Sequence, residues 1–162
     1  MEETKLQKLV IDEILFGYAF DRDVDFHDAY PQSAYLDRQT GEVIWFYEDD
    51  NDAELEAGCL AAEEFRKNRQ IIEATPEQYL EIPGLDHGDH HDLLEDFLSS
   101  DWTNNDGLRR YAQDAYYGSI GGWKKSVDDE SIIHAFYDFR DRMTTEMAEA
   151  FLRSHGIEPV WK

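Results

Sequence analysis

The sequence predicts an α+β fold, in which about five helices pack around a small antiparallel sheet built on a β-hairpin at residues 35–47. One short stretch carries a hairpin signal, and several longer stretches repeat apolar residues at helical spacing. The 162-residue chain shows no linker, repeat or low-complexity segment, and this length suits one domain with its own core. We therefore predict a single α+β domain over residues 1–162.

The first predicted element is an amphipathic helix over residues 5–20. Apolar or small residues recur there at helical spacing, namely Leu6, Leu9, Val10, Ile14 and Gly17. The pattern fades into a polar stretch, and Pro31 marks a turn.

The clearest local signal is the hairpin in AYLDRQTGEVIWFY, where two apolar runs flank a four-residue loop that ends at Gly41. Glycine can adopt the positive φ that the last loop position needs, and the Asp37 carboxylate can accept hydrogen bonds from loop amides. Both faces of the hairpin are apolar, so we expect helices to cover both sides. The predicted register pairs Asp37 with Glu42, Leu36 with Val43 and Tyr35 with Ile44.

A second helix and a third strand are predicted after the hairpin. Asn51 and Glu54 resemble a capping box, and the helix that follows has an apolar stripe made by Leu55, Cys59, Ala62 and Phe65. We expect this helix to end near the basic residues 66–69, since cations suit a helix C-terminus. Tyr79–Ile82 has the composition of a strand.

Three further helices are predicted in the C-terminal half, over about residues 89–100, over residues 108–117 and over about residues 128–154. The GSIGG stretch between the last two is expected to be a loop, and Gly156 is the final stop signal. The core face of the first of these helices consists of Leu93, Leu94, Phe97 and Leu98. The stripe of the last consists of Ile132, Phe136, Phe139, Met143, Met147 and Ala150.

The net charge of −22 is the strongest global feature of the chain, which has 37 acidic and 15 basic residues. It argues against general binding to nucleic acids or anionic membranes, because their phosphates would be repelled. Residues 39–65 contain nine acidic residues and residues 70–108 contain ten, without a basic residue in either stretch. Solubility alone is the favoured explanation, and the alternative is a surface for a basic protein partner or a cation.

The cysteine content and the hydropathy of the sequence bear on the cellular location of the protein. Cys59 is the only cysteine, so an internal disulfide and a multi-thiolate zinc site are excluded. The N-terminal residues lack the apolar run of a signal peptide, and no apolar run is long enough to span a bilayer. We therefore expect a soluble, cytoplasmic protein, and the sequence indicates neither a cofactor nor an oligomeric state.

The stretch GLDHGDHHDLLEDF, residues 84–97, combines three histidines with five acidic residues. His87, His90 and His91 are candidate metal ligands, since zinc needs three or four converging side chains. The favoured alternative is a helix start, because Asp86 and Asp89 are suitable N-cap residues. On that interpretation His87 lies outside the helix, and the adjacent His90 and His91 point in different directions.

The stretch GSIGGWKKS, residues 118–126, is a candidate anion site, because glycines before a helix can present backbone amides to a phosphate. It lacks the spacing of a P-loop. The favoured alternative is a tight turn that Trp123 anchors in the core, with the basic residues paired to the acidic surface. The basic residues that could join an anion site are Arg109, Arg110, Lys124, Lys125 and Arg140.

Catalytic residues are not predicted. Cys59 lies in a small-residue stretch that is typical of packing, and no G-x-S-x-G nucleophile elbow is present. His134 and Asp138 are one helical turn apart and could exchange protons, but a solvated surface pair is the favoured interpretation. Whether the protein is an enzyme is left open, with a non-enzymatic function favoured.

Several motifs occur in one order along the chain: YLDRQTGEV, EQYLEIP, LLEDF, FYDFRD and HGI near the C-terminus. In this order and at similar spacing, they resemble an uncharacterised bacterial family, number one-fifty-eight in the UPF series. The resemblance covers residues 5–158. The family carries a GxGAFRRFK-like stretch before its last helix, and GGWKKSV stands in its place. The aromatic and two basic residues of that pattern are kept in type as Trp123, Lys124 and Lys125, and the remainder departs from it. The resemblance supports the fold and implies no activity.

These features lead us to expect three functions, in order of preference. The first is a non-enzymatic acidic interaction protein that binds a basic protein, as an inhibitor or as a mimic of nucleic acid. The second is a regulatory or ligand-binding module that uses the Gly-rich basic loop at residues 118–125 for an anionic ligand or nucleic acid. The third is a hydrolase with a metal at His87, His90 and His91.

Overall fold

The computed structural model of the protein describes residues 5–21, 32–47 and 62–162, and it has the predicted α+β class. A short 3₁₀ turn, Pro76–Gln78, precedes the fourth strand. The six helices and five strands in these ranges are, in chain order, β1 (Gln7–Ile11), α1 (Glu13–Phe20), β2 (Gln32–Asp37), β3 (Val43–Tyr47), α2 (Ala62–Ala74), β4 (Tyr79–Ile82), α3 (His87–Ser99), α4 (Asp106–Asp114), α5 (Ile120–Val127), α6 (Glu130–Ser154) and β5 (Ile157–Trp161).

The strands form two small sheets. β2 lies at the centre of a three-stranded antiparallel sheet in the order β3-β2-β4, whereas β1 and β5 form a parallel pair. At the two ends of this pair, Gln7 N donates to Gly156 O at 2.9 Å and Lys162 N donates to Ile11 O at 3.1 Å. The parallel pair therefore ties the first described strand to the last one.

The hairpin prediction is confirmed in its register and in its loop. Leu36 pairs with Val43 and Tyr35 pairs with Ile44. Gly41 ends the loop with a φ of 79°, in the left-handed region that glycine tolerates. The third strand is confirmed as β4, which pairs antiparallel with β2.

The buried Asp37 carboxylate holds the hairpin loop. It accepts hydrogen bonds from Gln39 N at 2.8 Å and from Thr40 N at 3.3 Å, and the Gln78 amide donates to both of its oxygens. Burial raises the pKa of Asp37, but the hydrogen bonds from Gln39, Gln78 and Thr40 together lower it by more. The net pKa of Asp37 is therefore below its usual value, and ionised Asp37 stabilises the fold.

The predicted helix over residues 5–20 is wrong in its first half. That part forms β1, and α1 begins only after Asp12, whose carboxylate caps the first turn. Leu9 and Ile11 are buried while Val10 between them is half exposed, which is the alternation of a strand. Helical and strand periodicity overlap in such a short apolar run, and pairing with the distant β5 selects the strand.

α2 departs from its prediction at the C-terminal end. The helix continues to Ala74, beyond the basic residues 66–69 at which we expected it to stop. Pro76 follows shortly after, and proline favours the end of a helix because it lacks a backbone donor. The predicted start of this helix, from the capping box at Asn51 to Cys59, lies outside the described residues.

The glycine-rich stretch contains the start of a helix where we expected a loop. Gly121 and Gly122 lie in the first turn of α5, and α4 before it ends earlier than predicted, at Asp114. Glycine is a poor helix former. The fully buried Trp123 offsets that cost, since its indole packs in the core and donates a hydrogen bond to a carbonyl of α4 at 2.9 Å.

The two long C-terminal helices, α3 and α6, are confirmed. The whole predicted core face of α3 is buried. In α6, Ile132 and Phe136 are buried as predicted, but Ala150 is exposed. Ala148 and Leu152 are buried in its place, because the apolar face shifts around a helix of this length.

Two hydrophobic clusters form the interior, and α3 and α6 contribute to both. Cluster 1 consists of Leu9, Ile11, Phe16, Ala19, Phe20, Ala34, Leu36, Ile82, Leu85, Leu93, Ala148, Leu152 and Ile157. Cluster 2 consists of Leu94, Phe97, Leu98, Ala112, Trp123, Val127, Ile132 and Phe136. None of the described helices combines the length and the apolar composition that crossing a bilayer requires.

Replacing Gly41 with alanine should destabilise the fold by more than the roughly 1–2 kcal/mol that a left-handed backbone costs a residue with a side chain. The added Cβ would also lie 1.9 Å from the Val10 carbonyl oxygen in β1, so the loop would have to move. Urea unfolding followed by circular dichroism measures the loss. The matched control is Gly17→Ala in α1, where a Cβ meets no atom within 4 Å and should stabilise the helix by up to about 1 kcal/mol. Equal stability of G41A and the parent would contradict the prediction.

The Asp37→Asn variant should lose about 1–3 kcal/mol at neutral pH, because hydrogen bonds to an ionised group are replaced by weaker ones. The pKa of Asp37 is lower in the folded state than the usual 3.8, so its stabilisation is present above that value and is lost as the pH falls through the folded pKa. Urea unfolding of both proteins across the acid range measures this. The difference in the free energy of unfolding should shrink on acidification, and a constant or growing difference would count against the prediction.

Candidate functional site

A cavity of about 510 Å³ lies where α3, α5 and α6 meet the residue that follows α1. We call it the α5 cavity, because the first turn of α5 forms one wall. Its volume lies within the range of about 300–1000 Å³ that is typical of small-molecule sites. Its described lining residues are Asp21, His87, His90, Ser119, Ile120, Gly121, Phe136 and Arg140.

Three side chains form a polar network on the wall of the α5 cavity. Arg140 of α6 donates through Nη2 to a carboxylate oxygen of Asp21 at 3.0 Å, and the same nitrogen lies 3.4 Å from Nδ1 of His90. The side chains of Arg140 and Asp21 are 24% and 31% exposed, so a ligand can reach both. Partial burial also strengthens their attraction relative to that of a fully solvated pair.

His90 carries a hydrogen-bond donor without a partner. The residue is only 7% exposed, and its Nε2 has no partner among the described residues. An arginine side chain can only donate, so Nδ1 of His90 accepts from Arg140 and the proton of the neutral imidazole is on Nε2. Nε2 is itself buried, so a ligand in the cavity does not reach it, and the contribution of His90 to the cavity wall is the contact of its Nδ1 with Arg140.

The first turn of α5 places backbone amides at the cavity wall. Ser119 is the N-cap: its hydroxyl accepts a hydrogen bond from Gly122 N at 3.0 Å, and its carbonyl accepts one from Trp123 N at 3.0 Å. Within the described part of the chain, no hydrogen bond uses the amides of Ile120 and Gly121. Free amides at the positive end of a helix attract anions.

The glycines of α5 shape this wall in two ways. A Cβ at Gly122 would lie 2.7 Å from the Ser119 hydroxyl and would disturb the cap. A Cβ at Gly121 would meet no atom within 4 Å, so the absence of a side chain there leaves the wall open. Gly122 therefore leaves room for the Ser119 cap, and Gly121 leaves the backbone amides of the first turn uncovered by a side chain.

The capping interpretation of the histidine-rich stretch is confirmed. Asp86 is the N-cap of α3, with its carboxylate accepting from Asp89 N at 2.7 Å, and Asp89 reciprocates by accepting from Asp86 N at 3.0 Å. This capping box starts the helix at His87. Our expectation that His87 lies outside the helix is therefore wrong.

One turn of α3 brings His87 and His91 together at the edge of the cavity. Their Nε2 atoms are 2.9 Å apart, and Nδ1 of His91 hydrogen-bonds with the Tyr116 hydroxyl. Burial, and to a smaller extent the charge of Glu95, raises the pKa of Tyr116. The hydroxyl therefore stays protonated at neutral pH. Its hydrogen bond to Nδ1 of His91 fixes the orientation of that ring.

The three candidate metal ligands do not converge on one point. His87 and His91 face each other, whereas His90 approaches Arg140. Across residues 5–21, 32–47 and 62–162, no group of three or more His, Cys, Asp or Glu side chains is arranged to hold a metal ion. A metal at the three histidines stays a prediction, and this geometry does not support it.

The five basic residues proposed for an anion site have different partners. Of the five, only Arg140 lines the α5 cavity. Arg109 is ion-paired with Asp106 at 3.2 Å, and Lys124 lies 4.7 Å from the centre of the Tyr137 ring. The two that are exposed are Arg110 and Lys125.

Two residues of the site, Asp21 and Ser119, were not named as site residues from the sequence, although Ser119 lies within the candidate stretch at residues 118–126. Ser119 has a recognisable signal, since serine is a preferred N-cap residue, but the glycines after it indicated a loop. Asp21 has no local signal, because its partner Arg140 is 119 residues away. Of the weak catalytic candidates, His134 and Asp138 are both exposed without a hydrogen bond between them, and Cys59 lies outside the described residues.

Comparison of the chain with protein-family models, with curated proteins and with solved structures gives no match in any of the three. A function must therefore follow from the chemistry of the cavity and the surface.

Proposed function

We propose that the protein binds a small molecule through an oxyanion group, such as a carboxylate or a phosphate, in the α5 cavity. This proposal develops the ligand-binding function expected for residues 118–125. The observation that carries it is the presence of two kinds of hydrogen-bond donor at one cavity: the free amides of Ile120 and Gly121, and the guanidinium group of Arg140.

Each donor has a distinct role. The amides bind an oxyanion without adding a full charge, and the positive end of the α5 dipole supports them. Arg140 supplies the charge, and its bond to Asp21 holds the guanidinium group in place. His90 accepts a hydrogen bond from Arg140 through Nδ1 and so helps to orient the guanidinium group. Phe136, from cluster 2, provides an apolar wall for the remainder of the ligand.

The Arg140→Gln variant should bind oxyanion ligands at least about tenfold more weakly, because a charge-assisted hydrogen bond to a ligand contributes about 1.5–3 kcal/mol. Suitable probes are phenyl phosphate, 3-phenylpropionate and phenylalanine, each of which joins an oxyanion to an aromatic ring. Titration of each probe, followed by the amide chemical shift of Gly121 in NMR spectra, gives the dissociation constant.

The matched control is Arg142→Gln, which removes the same charge from the same helix at an exposed residue that is not among the lining residues. It should leave the affinity nearly unchanged. Circular dichroism of both variants checks the fold. If no probe shifts the Gly121 amide of the parent protein, or if both variants bind alike, the oxyanion site is wrong.

A second candidate function is the binding of a basic protein, which the sequence analysis placed first. The observation that favours it is an acidic face on α3, formed by Asp92, Glu95 and Asp96. All three residues are exposed, and none of them has an ion-pair partner within the described ranges. Their spacing of three and four residues places them on one side of the helix.

A pull-down from a bacterial lysate at low and at high salt tests this second function. A basic partner should be retained at low salt and lost at high salt, because exposed charges are screened. Neutralising the face with Asp92→Asn, Glu95→Gln and Asp96→Asn should release the partner. The control removes three acidic charges along α6, at Glu130, Asp141 and Glu146. Recovery of no specific protein at either salt, or equal release by both triple variants, would count against the function.

Family membership and location also stay proposals. The ordered motifs support membership of the uncharacterised family that the chain resembles. The single cysteine and the lack of a membrane-spanning helix within the described residues support a cytoplasmic location.

A further inference from the structure

The α5 cavity presents a positive and a negative group side by side. The ion pair of Arg140 and Asp21 uses only Nη2 of the arginine and Oδ1 of the aspartate. Within the described part of the chain, no hydrogen bond uses Nε or Nη1 of Arg140, or Oδ2 of Asp21. Both side chains therefore keep atoms that can bind a ligand group of opposite charge.

We propose that the ligand of the α5 cavity is a zwitterion of the α-amino acid type with an apolar side chain, an inference that rests on the proposed oxyanion site. The carboxylate of the ligand accepts hydrogen bonds from the α5 amides and Arg140, and its ammonium group donates to Asp21. An α-amino acid carries both charged groups on one carbon atom. This arrangement matches the adjacent positions of Arg140 and Asp21, whose atoms are 3.0 Å apart.

Electrostatics favour a zwitterion over a simple anion. The chain has a net charge of −22, which repels anions at long range, and Asp21 repels them within the cavity. A zwitterion has no net charge, so the long-range repulsion is absent. Each of its charged groups still meets an opposite partner, because Asp21 becomes an attractive group for the ammonium.

The other walls select an apolar side chain. Phe136 and Ile120 both line the cavity, Phe136 belongs to cluster 2, and Ile120 packs against that cluster. Apolar walls with a few polar groups fix the orientation of a small ligand in this kind of site. A charged or strongly polar ligand side chain would lose its hydration there without a partner.

Three matched probes test the proposal on the full chain. Phenylalanine carries both charged groups, 3-phenylpropionate lacks the ammonium group, and phenethylamine lacks the carboxylate. Titrations followed by the amide chemical shift of Gly121 give their dissociation constants. We expect phenylalanine to bind at least about tenfold more tightly than either analogue, because each analogue leaves one charged group of the cavity without a partner.

The Asp21→Asn variant tests the role of the carboxylate. It removes the partner of the ammonium group and keeps Arg140, so the preference for phenylalanine over 3-phenylpropionate should disappear. Circular dichroism checks the fold of the variant. The comparison of the three probes on the parent protein does not depend on it.

The outcomes separate this proposal from the oxyanion site. If the parent binds 3-phenylpropionate as tightly as phenylalanine, or if D21N keeps the full preference for phenylalanine, the zwitterion is wrong and the oxyanion site stands. If none of the three probes shifts Gly121, the zwitterion is also wrong, and phenyl phosphate decides on the oxyanion site. A shift with phenyl phosphate keeps that site, and no shift removes both proposals.

Discussion

The structure depends on the burial of one 25-residue helix, α6, against two separate hydrophobic clusters. Ile132 and Phe136 in its first half belong to cluster 2, and Ala148 and Leu152 in its second half belong to cluster 1. Fully burying one large apolar side chain contributes about 1.5–3 kcal/mol, whereas an exposed ion pair contributes about 0–1 kcal/mol. The apolar face of α6, and of α3 beside it, therefore determines how the other elements are arranged.

The candidate site lies where the two clusters meet. Arg140 is on α6 between Phe136 and Ala148, at the point where the helix passes from cluster 2 to cluster 1. Its partners come from the end of α1 and from α3, which the clusters hold against α6. The network of Arg140, Asp21 and His90 therefore lies between the two hydrophobic clusters. The clusters fix the positions of α1, α3 and α6, and these helices in turn position the three side chains.

The overall charge of the chain and the chemistry of the α5 cavity favour different ligands: the net negative charge favours cations, whereas the cavity presents donors for an oxyanion. The chain is strongly acidic, and charge of one sign serves solubility. Among the described residues, the α5 cavity instead combines free amides and Arg140 with the carboxylate of Asp21. Net charge therefore affects which charged ligands approach the protein, whereas the groups that line the α5 cavity determine the affinity of a ligand once it is inside.

Local signals in the sequence were enough to predict several of the elements. The hairpin register follows from loop chemistry around Gly41, and α3 and α6 follow from long, steady apolar repeats. The remaining features depend on long-range packing. β1 is a strand only because β5 pairs with it, and α5 is a helix because burial of Trp123 offsets two glycines. The pairing of Asp21 with Arg140 likewise joins distant residues. Backbone preferences depend on neighbouring residues, but strand pairing, burial and a binding cavity depend on which distant surfaces are packed together, and no local pattern records that.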